Sequence, residues 1–363
     1  MTEAHAHDAG VAEDRTQGVG MTEAHAHDAG VTDVHAHVLL PSLQAEVERR
    51  APEGFAAAAA LELRRNGAES QAVSGPMVGA RIPKLTDVAV RLGVMDAQGI
   101  DRQWVSASPN HFYPWAEEQL AVWAACEANR LVAEHVAQAP ERLTGLGLVP
   151  LQHPSRIVEC VDDAVLGRGL AGVEISSFAG DVELSDERLE PFWARVEELG
   201  AIVFLHPFGC SLDERLDRFY LANTVGQPAE NAVALSHLIF GGVLDRHPRL
   251  RLVVAHGGGY LPTAIGRSDH AWRVRPEAHR CAHEPSHYLR RIWFDTVVHD
   301  ELALRHLVEV AGGAQVVLGS DFPFDMGLED PVGFVTGTGL PAEVVARIVG
   351  SNAAALLRAK IRT

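Results

Sequence analysis

Two histidines one residue apart close a short apolar stretch, Val31-Thr32-Asp33-Val34-His35-Ala36-His37. In an extended strand residues i and i+2 share a face. Both imidazoles therefore project the same way at the C-terminal end of the strand and can grip one metal ion. Three further residues stand in the same situation, each directly after a short apolar run: His206, His256 and Asp321. Imidazole and carboxylate are the donors of zinc-like catalytic ions, which keep a position open for water or substrate. Such an ion lowers the pKa of bound water toward about 7 and acts as a Lewis acid, and a neighbouring imidazole can shuttle a proton. Glu174, within Gly172-Val-Glu-Ile-Ser-Ser177, adds a carboxylate that serves either this centre or only the fold.

The His-Ala-His triplet occurs three times, and only the one at 35–37 follows a strand pattern. The segment MTEAHAHDAG stands at 1–10 and again, identically, at 21–30. Residues 1–30 read as a disordered leader without hydrophobic periodicity. The duplication suggests a start-site artefact with Met21 as the true start. No role is expected for His5, His7, His25 or His27.

The bulk properties exclude several classes. A net charge of −17 argues against nucleic acid and anionic membrane as partners. No run of apolar residues is long enough to span a bilayer, and no basic segment leads into an apolar one as in a secretory signal. Cys126, Cys160, Cys210 and Cys281 are scattered without a CxxC pair, as expected of reduced thiols in a cytoplasmic protein. An apolar fraction of 47% supports a large core.

Apolar runs at 31–35, 103–108, 143–149, 170–176, 201–205, 251–255, 291–296 and 315–319 predict eight strands. Helical patterns fall between most of them, at 115–138, 155–166, 186–199, 226–245 and 299–311, and two more, 341–349 and 351–360, close the chain. Runs such as Ala201-Ile-Val-Phe-Leu205 are apolar throughout, as parallel strands covered on both faces require. Eight strand–helix units predict a (β/α)8 TIM barrel over 31–363. The alternative, an open doubly wound sheet, lacks a GxGxxG after its first strand. Residues 38–102 are too many for one connection and read as an insertion, with Ser74-Gly-Pro-Met-Val-Gly-Ala-Arg-Ile-Pro83 placed as a lobe over the barrel mouth. In such a barrel chemistry sits at the C-terminal strand ends. His35, His37, His206, His256 and Asp321 all fall there, with Glu174 close by.

The ordered set Asp33-Val-His-Ala-His37, Met95-Asp-Ala-Gln-Gly99, Phe204-Leu-His-Pro207, Gln227-Pro-Ala-Glu230, Gly241-Gly-Val-Leu-Asp-Arg246, Ala255-His-Gly-Gly-Gly259, Gly266-Arg267 and Leu318-Gly-Ser-Asp-Phe-Pro-Phe324 resembles the amidohydrolase superfamily, in the branch of aminocarboxymuconate-semialdehyde decarboxylase. The resemblance implies one divalent metal, Zn²⁺ with Mn²⁺ as the alternative, held by His35, His37, His206 and Asp321. It makes His256 the acid/base partner, with Asp321 as a second candidate for proton delivery. Binuclear members of the superfamily carry a lysine near the end of strand four; Glu174 and no lysine stands here, which favours one metal. It further implies a homodimer in which Arg267 reaches the substrate carboxylate of the neighbouring subunit; planar bidentate pairing suits arginine to that task. Arg81 is the candidate, by position, for a second basic contact. Asn110-His111-Phe112-Tyr113-Pro114-Trp115 can form an aromatic wall, and Phe208 stands near where the resembled enzyme has a tryptophan.

Together these imply a carboxy-lyase acting on an aromatic or ring-cleavage-derived carboxylic acid. The alternative is a hydrolase of an amide, lactone or carbon–carbon bond, because the same donor set serves both; a hydratase ranks third. A merely structural metal is disfavoured, since closed sites usually include thiolates and no cysteine cluster exists.

Overall fold

A computed structural model describes residues 30–358. The leader and its four histidines lie outside the described residues, apart from Gly30. Eight parallel strands form one sheet in chain order. They are β1 (Thr32–Val38), β2 (Arg102–Ala107), β3 (Leu143–Leu148), β4 (Gly172–Ile175), β5 (Ile202–Leu205), β6 (Arg251–Val254), β7 (Trp293–Asp295) and β8 (Val316–Val317). The circle closes between β1 and β8 through main-chain bonds. Val34 N–H donates to Leu318 O at 2.8 Å, Asp321 N–H to His35 O at 2.9 Å, and His37 N–H to Phe322 O at 2.8 Å. This is the expected TIM barrel, and the meeting of first and last strands rules out the open sheet.

Strand alternation divides the core in two. On β5, Val203 and Leu205 face outward and pack with Leu235, Leu238 and Ile239 of the helix Gln227–Phe240. Ile202 and Phe204 face inward and join Val34, Trp104, Leu146, Val253 and Val317 in a plug that fills the barrel interior. The next inward position on β5 is His206, so the pattern that builds the plug also aims the imidazole into the mouth above it.

The long connection from β1 to β2 is helical: α1 (Pro41–Arg50), α2 (Pro52–Asn66), α3 (Ala68–Thr86) and α4 (Val88–Gln98). Leu43 and Val47 of α1, and Val88, Arg91 and Met95 of α4, are buried, whereas α2 buries none of its residues. Asp87 caps α4, accepting from Ala89 N–H at 2.8 Å and Val90 N–H at 3.2 Å. The Gly/Pro-bearing stretch 74–83 lies within α3, with Pro76 and Pro83 inside the helix, and Ser74, Met77 and Val78 reach the barrel mouth. Among the described residues no helix is long and apolar enough to cross a membrane.

Candidate active site

Five side chains meet at the C-terminal end of the barrel. His35 and His37 project together from β1, with their Nε2 atoms 3.1 Å apart. Asp321, just beyond β8, places Oδ1 3.4 Å from His35 Nε2 and 3.2 Å from His37 Nε2. His206 and His256, at the ends of β5 and β6, have ring centroids 5.0 Å apart. Ligand atoms of His35, His206, His256 and Asp321 all lie within 4.8 Å of one another. His256 Nε2 is 3.7 Å from Asp321 Oδ2.

Local backbone chemistry sets these positions. His256 and Asp321 adopt φ of +54° and +59°, a left-handed conformation that non-glycine residues rarely take and that clusters at functional sites. The glycines after His256 let the chain pass close to its neighbours. A Cβ at Gly257 would lie 2.3 Å from Val298, and one at Gly259 would lie 2.1 Å from the Pro228 carbonyl oxygen.

The arrangement suits a cation. His35 Nδ1 bonds to Asp295 Oδ2 at 2.6 Å and His206 Nδ1 to the Pro207 carbonyl at 2.9 Å, so each ring turns its Nε2 inward. Buried His206 Nε2 has no hydrogen-bond partner, and the His35 and His37 Nε2 atoms, 3.1 Å apart, stand close enough to share either one proton or one ion. Ligands around an ion at about 2.0–2.2 Å are separated by roughly 3–3.5 Å, which matches the contacts among His35, His37 and Asp321.

Electrostatics reinforce the picture. Burial works against charge on His35, but Asp321 and Asp295 outweigh it and pull the imidazole up to about 9. Burial lowers His37 and drives His206 well down. Burial alone would raise Asp321, yet the charge of His35 and the adjacent His256 and His37 imidazoles hold it well below the carboxylate range. Glu174 is fully buried, and burial pushes its carboxyl well up, opposed by the charge of His35 and by the Ser106 hydroxyl. Both its oxygens lack a well-formed hydrogen bond.

The cluster opens into a cavity of about 620 Å³. His37, His206, His256 and Asp321 line its inner end, and Met77, Val78, Val297, Leu307, Phe324 and Met326 supply apolar wall. The four residues expected at the substrate are not among the lining residues. His111 is buried, accepts from Leu40 N–H through Nε2 at 3.1 Å and meets Tyr113 Oη through Nδ1 at 3.0 Å. Burial holds it down to about 3. Phe208 packs near Phe112, with ring centroids 5.9 Å apart. Arg81 donates to the Pro323 carbonyl and so ties α3 to the loop after Asp321. Arg267 is exposed on the helix Leu261–Val274.

Sequence reasoning missed Asp295, although its signal was the one used elsewhere: a carboxylate ending an apolar strand, Trp293-Phe294-Asp295. Besides gripping His35, it accepts from Gly257 N–H at 2.9 Å and Val297 N–H at 3.1 Å, binding the ends of β1, β6 and β7 together. It also missed a buried network beneath the site. Asp33 accepts from Ser320 Oγ at 2.5 Å, Ser320 N–H at 3.0 Å, His35 N–H at 3.0 Å and Gln103 Nε2 at 2.8 Å. Arg91 donates to Gln103 Oε1 at 2.7 Å and to the His37 carbonyl at 2.5 Å. These polar residues come from four separate segments, and only the fold unites them.

Comparison with known proteins places this geometry. Residues 32–359 match the amidohydrolase family, and the chain belongs to it. A 2-amino-3-carboxymuconate-6-semialdehyde decarboxylase of Dictyostelium discoideum is 37% identical over 243 residues, covering 66% of this chain and 68% of that protein. A gamma-resorcylate decarboxylase of Rhodococcus jostii (strain RHA1) is 29% identical over 264 residues, covering 68% of this chain and 79% of that protein. The crystal structure of 5-carboxyvanillate decarboxylase LigW from Sphingomonas paucimobilis is similar with a TM-score of 0.78 and 26% identity, over 91% of this chain and 99% of that one. The chain is accordingly an enzyme of the carboxy-lyase branch of the superfamily, as its ordered motifs implied.

Proposed function

We propose that this chain decarboxylates an aromatic or ring-cleavage-derived carboxylic acid with the help of one divalent metal. The observation that carries the reading is the convergence of four imidazoles and Asp321 at the inner end of a largely apolar cavity. His35, His37, His206 and Asp321 are the assigned ligands, with Zn²⁺ expected and Mn²⁺ the alternative. His37 takes precedence over His256 because it is buried, with Nδ1 3.4 Å from Ser106 Oγ. His256 is 19% exposed and turns toward the cavity. Ligating histidines are typically held through their second nitrogen.

The metal, when bound, supplies positive charge and Lewis acidity against a substrate carboxylate and an adjacent oxygen. The protein residues do the rest. The apolar wall excludes water and orients the ring. The bond to the departing carboxylate breaks, its electron pair stays on the carbon that bore it, and that carbon takes a proton from His256, or from Asp321 once that carboxylate has itself taken up a proton. General acid catalysis of this kind contributes typically about 10²–10⁴-fold. His111 and Phe208 pack outside the cavity lining, and Arg81 fixes the mouth through Pro323. Arg267 serves the neighbouring subunit of a homodimer, a role supported by its exposure and by its position outside its own cavity.

The test is to incubate metal-loaded protein with hydroxy- and amino-substituted aromatic acids while measuring CO₂. Release of CO₂ with one equivalent of the ring product is expected. Turnover of an amide or lactone without CO₂ would replace this reading with the hydrolase.

A further inference from the structure

The cavity is larger than its inner end requires. At roughly 30 Å³ per water in the liquid, its volume of about 620 Å³ would take about twenty waters, whereas a monocyclic hydroxy acid has only about ten heavy atoms. Its outer end is where His299 and His306 lie. His299 follows β7 with φ of +56°, behind a tight turn closed by Val298 N–H to Thr296 O at 2.9 Å. Asp300 fixes the next step by capping the helix Glu301–Ala311, accepting from Ala303 N–H at 2.8 Å. On that helix Ala303, His306 and Leu307 form one face toward the cavity.

Neither imidazole has a hydrogen bond or ion pair to another described residue. Nearby polar groups are otherwise engaged: Tyr260 Oη donates to Thr224 O at 3.1 Å and Thr263 Oγ1 to Tyr260 O at 2.8 Å. The lining contains no lysine or arginine, and it includes the carboxylate of Asp325. A strained, unpartnered imidazole and a second one beside the same space make a donor–acceptor surface. The missing cation and the extra carboxylate disfavour a second anionic group there.

We infer that His299 and His306 form a specificity subsite for an uncharged hydrogen-bonding substituent, a hydroxyl, carbonyl or amide, carried by the substrate away from the departing carboxylate. The inference rests on the carboxy-lyase reading for the identity of that carboxylate. The subsite selects by polarity: a methyl group in place of the polar substituent displaces water from the half-buried His306 imidazole without replacing its hydrogen bond, and offers the exposed His299 imidazole none.

The test uses 2-hydroxybenzoate with hydroxyl, carboxamide, methyl or carboxylate at position 4 or 5. Binding to the metal-loaded protein is measured by calorimetry, and CO₂ release in parallel. Binding at least tenfold tighter for the hydroxyl or carboxamide compound than for its methyl analogue is expected. His306→Leu should remove that preference and leave unsubstituted 2-hydroxybenzoate within about twofold. His299→Asn, which tolerates the left-handed backbone, should weaken it separately. Equal loss for substituted and unsubstituted acids in both variants, a preference for the carboxylate analogue, or no preference in the wild type would overturn the subsite. Preserved polar preference without CO₂ release would overturn only the carboxy-lyase reading; absence of binding by every compound would overturn both.

Discussion

Replacing Arg91 by methionine tests whether the buried network beneath the site holds the metal-facing end of β1. The guanidinium is fully buried, and burial pulls it down to about 9 from its ordinary 12.5. Burying that charge is unfavourable, and its hydrogen bonds offset the burden. Methionine relieves this burden but strips the donors from Gln103 Oε1 and the His37 carbonyl. Each buried acceptor left bare costs about 1–3 kcal/mol. The cation–π contact with Phe322, whose ring centroid is 5.1 Å away, is also lost. Asp33 keeps its donors from Ser320, His35 and Gln103, so no carboxylate is orphaned. The net loss should therefore sit at the lower end of the range for broken buried polar pairs, about 3 kcal/mol. Urea denaturation of the metal-loaded protein measures it. Because the His37 carbonyl sits one bond from a proposed ligand, metal affinity should also fall, about tenfold. A variant within 0.5 kcal/mol of wild type with unchanged metal affinity would refute the claim that Arg91 positions the site.

His256→Ala should lose about 10²–10⁴-fold in kcat while retaining metal, whereas His206→Ala should lose both; a metal-free His256 variant would move that residue into the ligand set. Elemental analysis should find one divalent metal per chain, and removing it by chelation should lower the unfolding midpoint; two stoichiometric metals would point to Glu174 as a bridging ligand. His135 is buried on the helix Glu118–Val136, and burial holds it down to about 4 against an ordinary 6.5. The unfolded chain therefore takes up a proton that the folded one excludes, and stability present above pH 6.5 is lost on acidification, by about 2 kcal/mol between pH 7 and pH 5. His135→Leu should flatten that part of the stability profile, and an unchanged slope would show that His135 is not its source. Mixing Arg267→Ala and His256→Ala chains should restore activity if Arg267 serves its neighbour; demonstrated heterodimers without recovery would exclude the shared site.

The barrel and the meeting of five residues at its mouth were legible in the sequence because each of the five ends an apolar run, and an apolar run followed by His or Asp is a local signal. The same logic held for the inward aim of His206, which follows from the alternation Ile202, Phe204. What stayed hidden has a common cause. Arg91, Gln103 and Ser320 surround Asp33 only after folding, and no local periodicity marks a charged residue as buried. The helices of the first connection were obscured because α2 buries nothing and so shows no amphipathic stripe, while α3 carries two prolines that read as breaks. The lining at His299 and His306 depends on a left-handed residue between a strand and a helix, a detail of backbone geometry rather than of residue pattern.

The seam of the barrel has a consequence for how the protein is made. Asp33 and Ser320 are 287 residues apart in the chain, and the bonds joining His35 and His37 to residues 321 and 322 are as distant. At roughly 5–20 residues per second of synthesis, the first two proposed ligands leave the ribosome on the order of 15–60 s before Asp321 exists. Through that interval the strand carrying them has one neighbour to pair with and lacks the carboxylate that completes the set. Metal loading is therefore expected late, with the arrival of the final strand, and a chain interrupted before residue 321 lacks both a proposed ligand and the bonds that close the barrel.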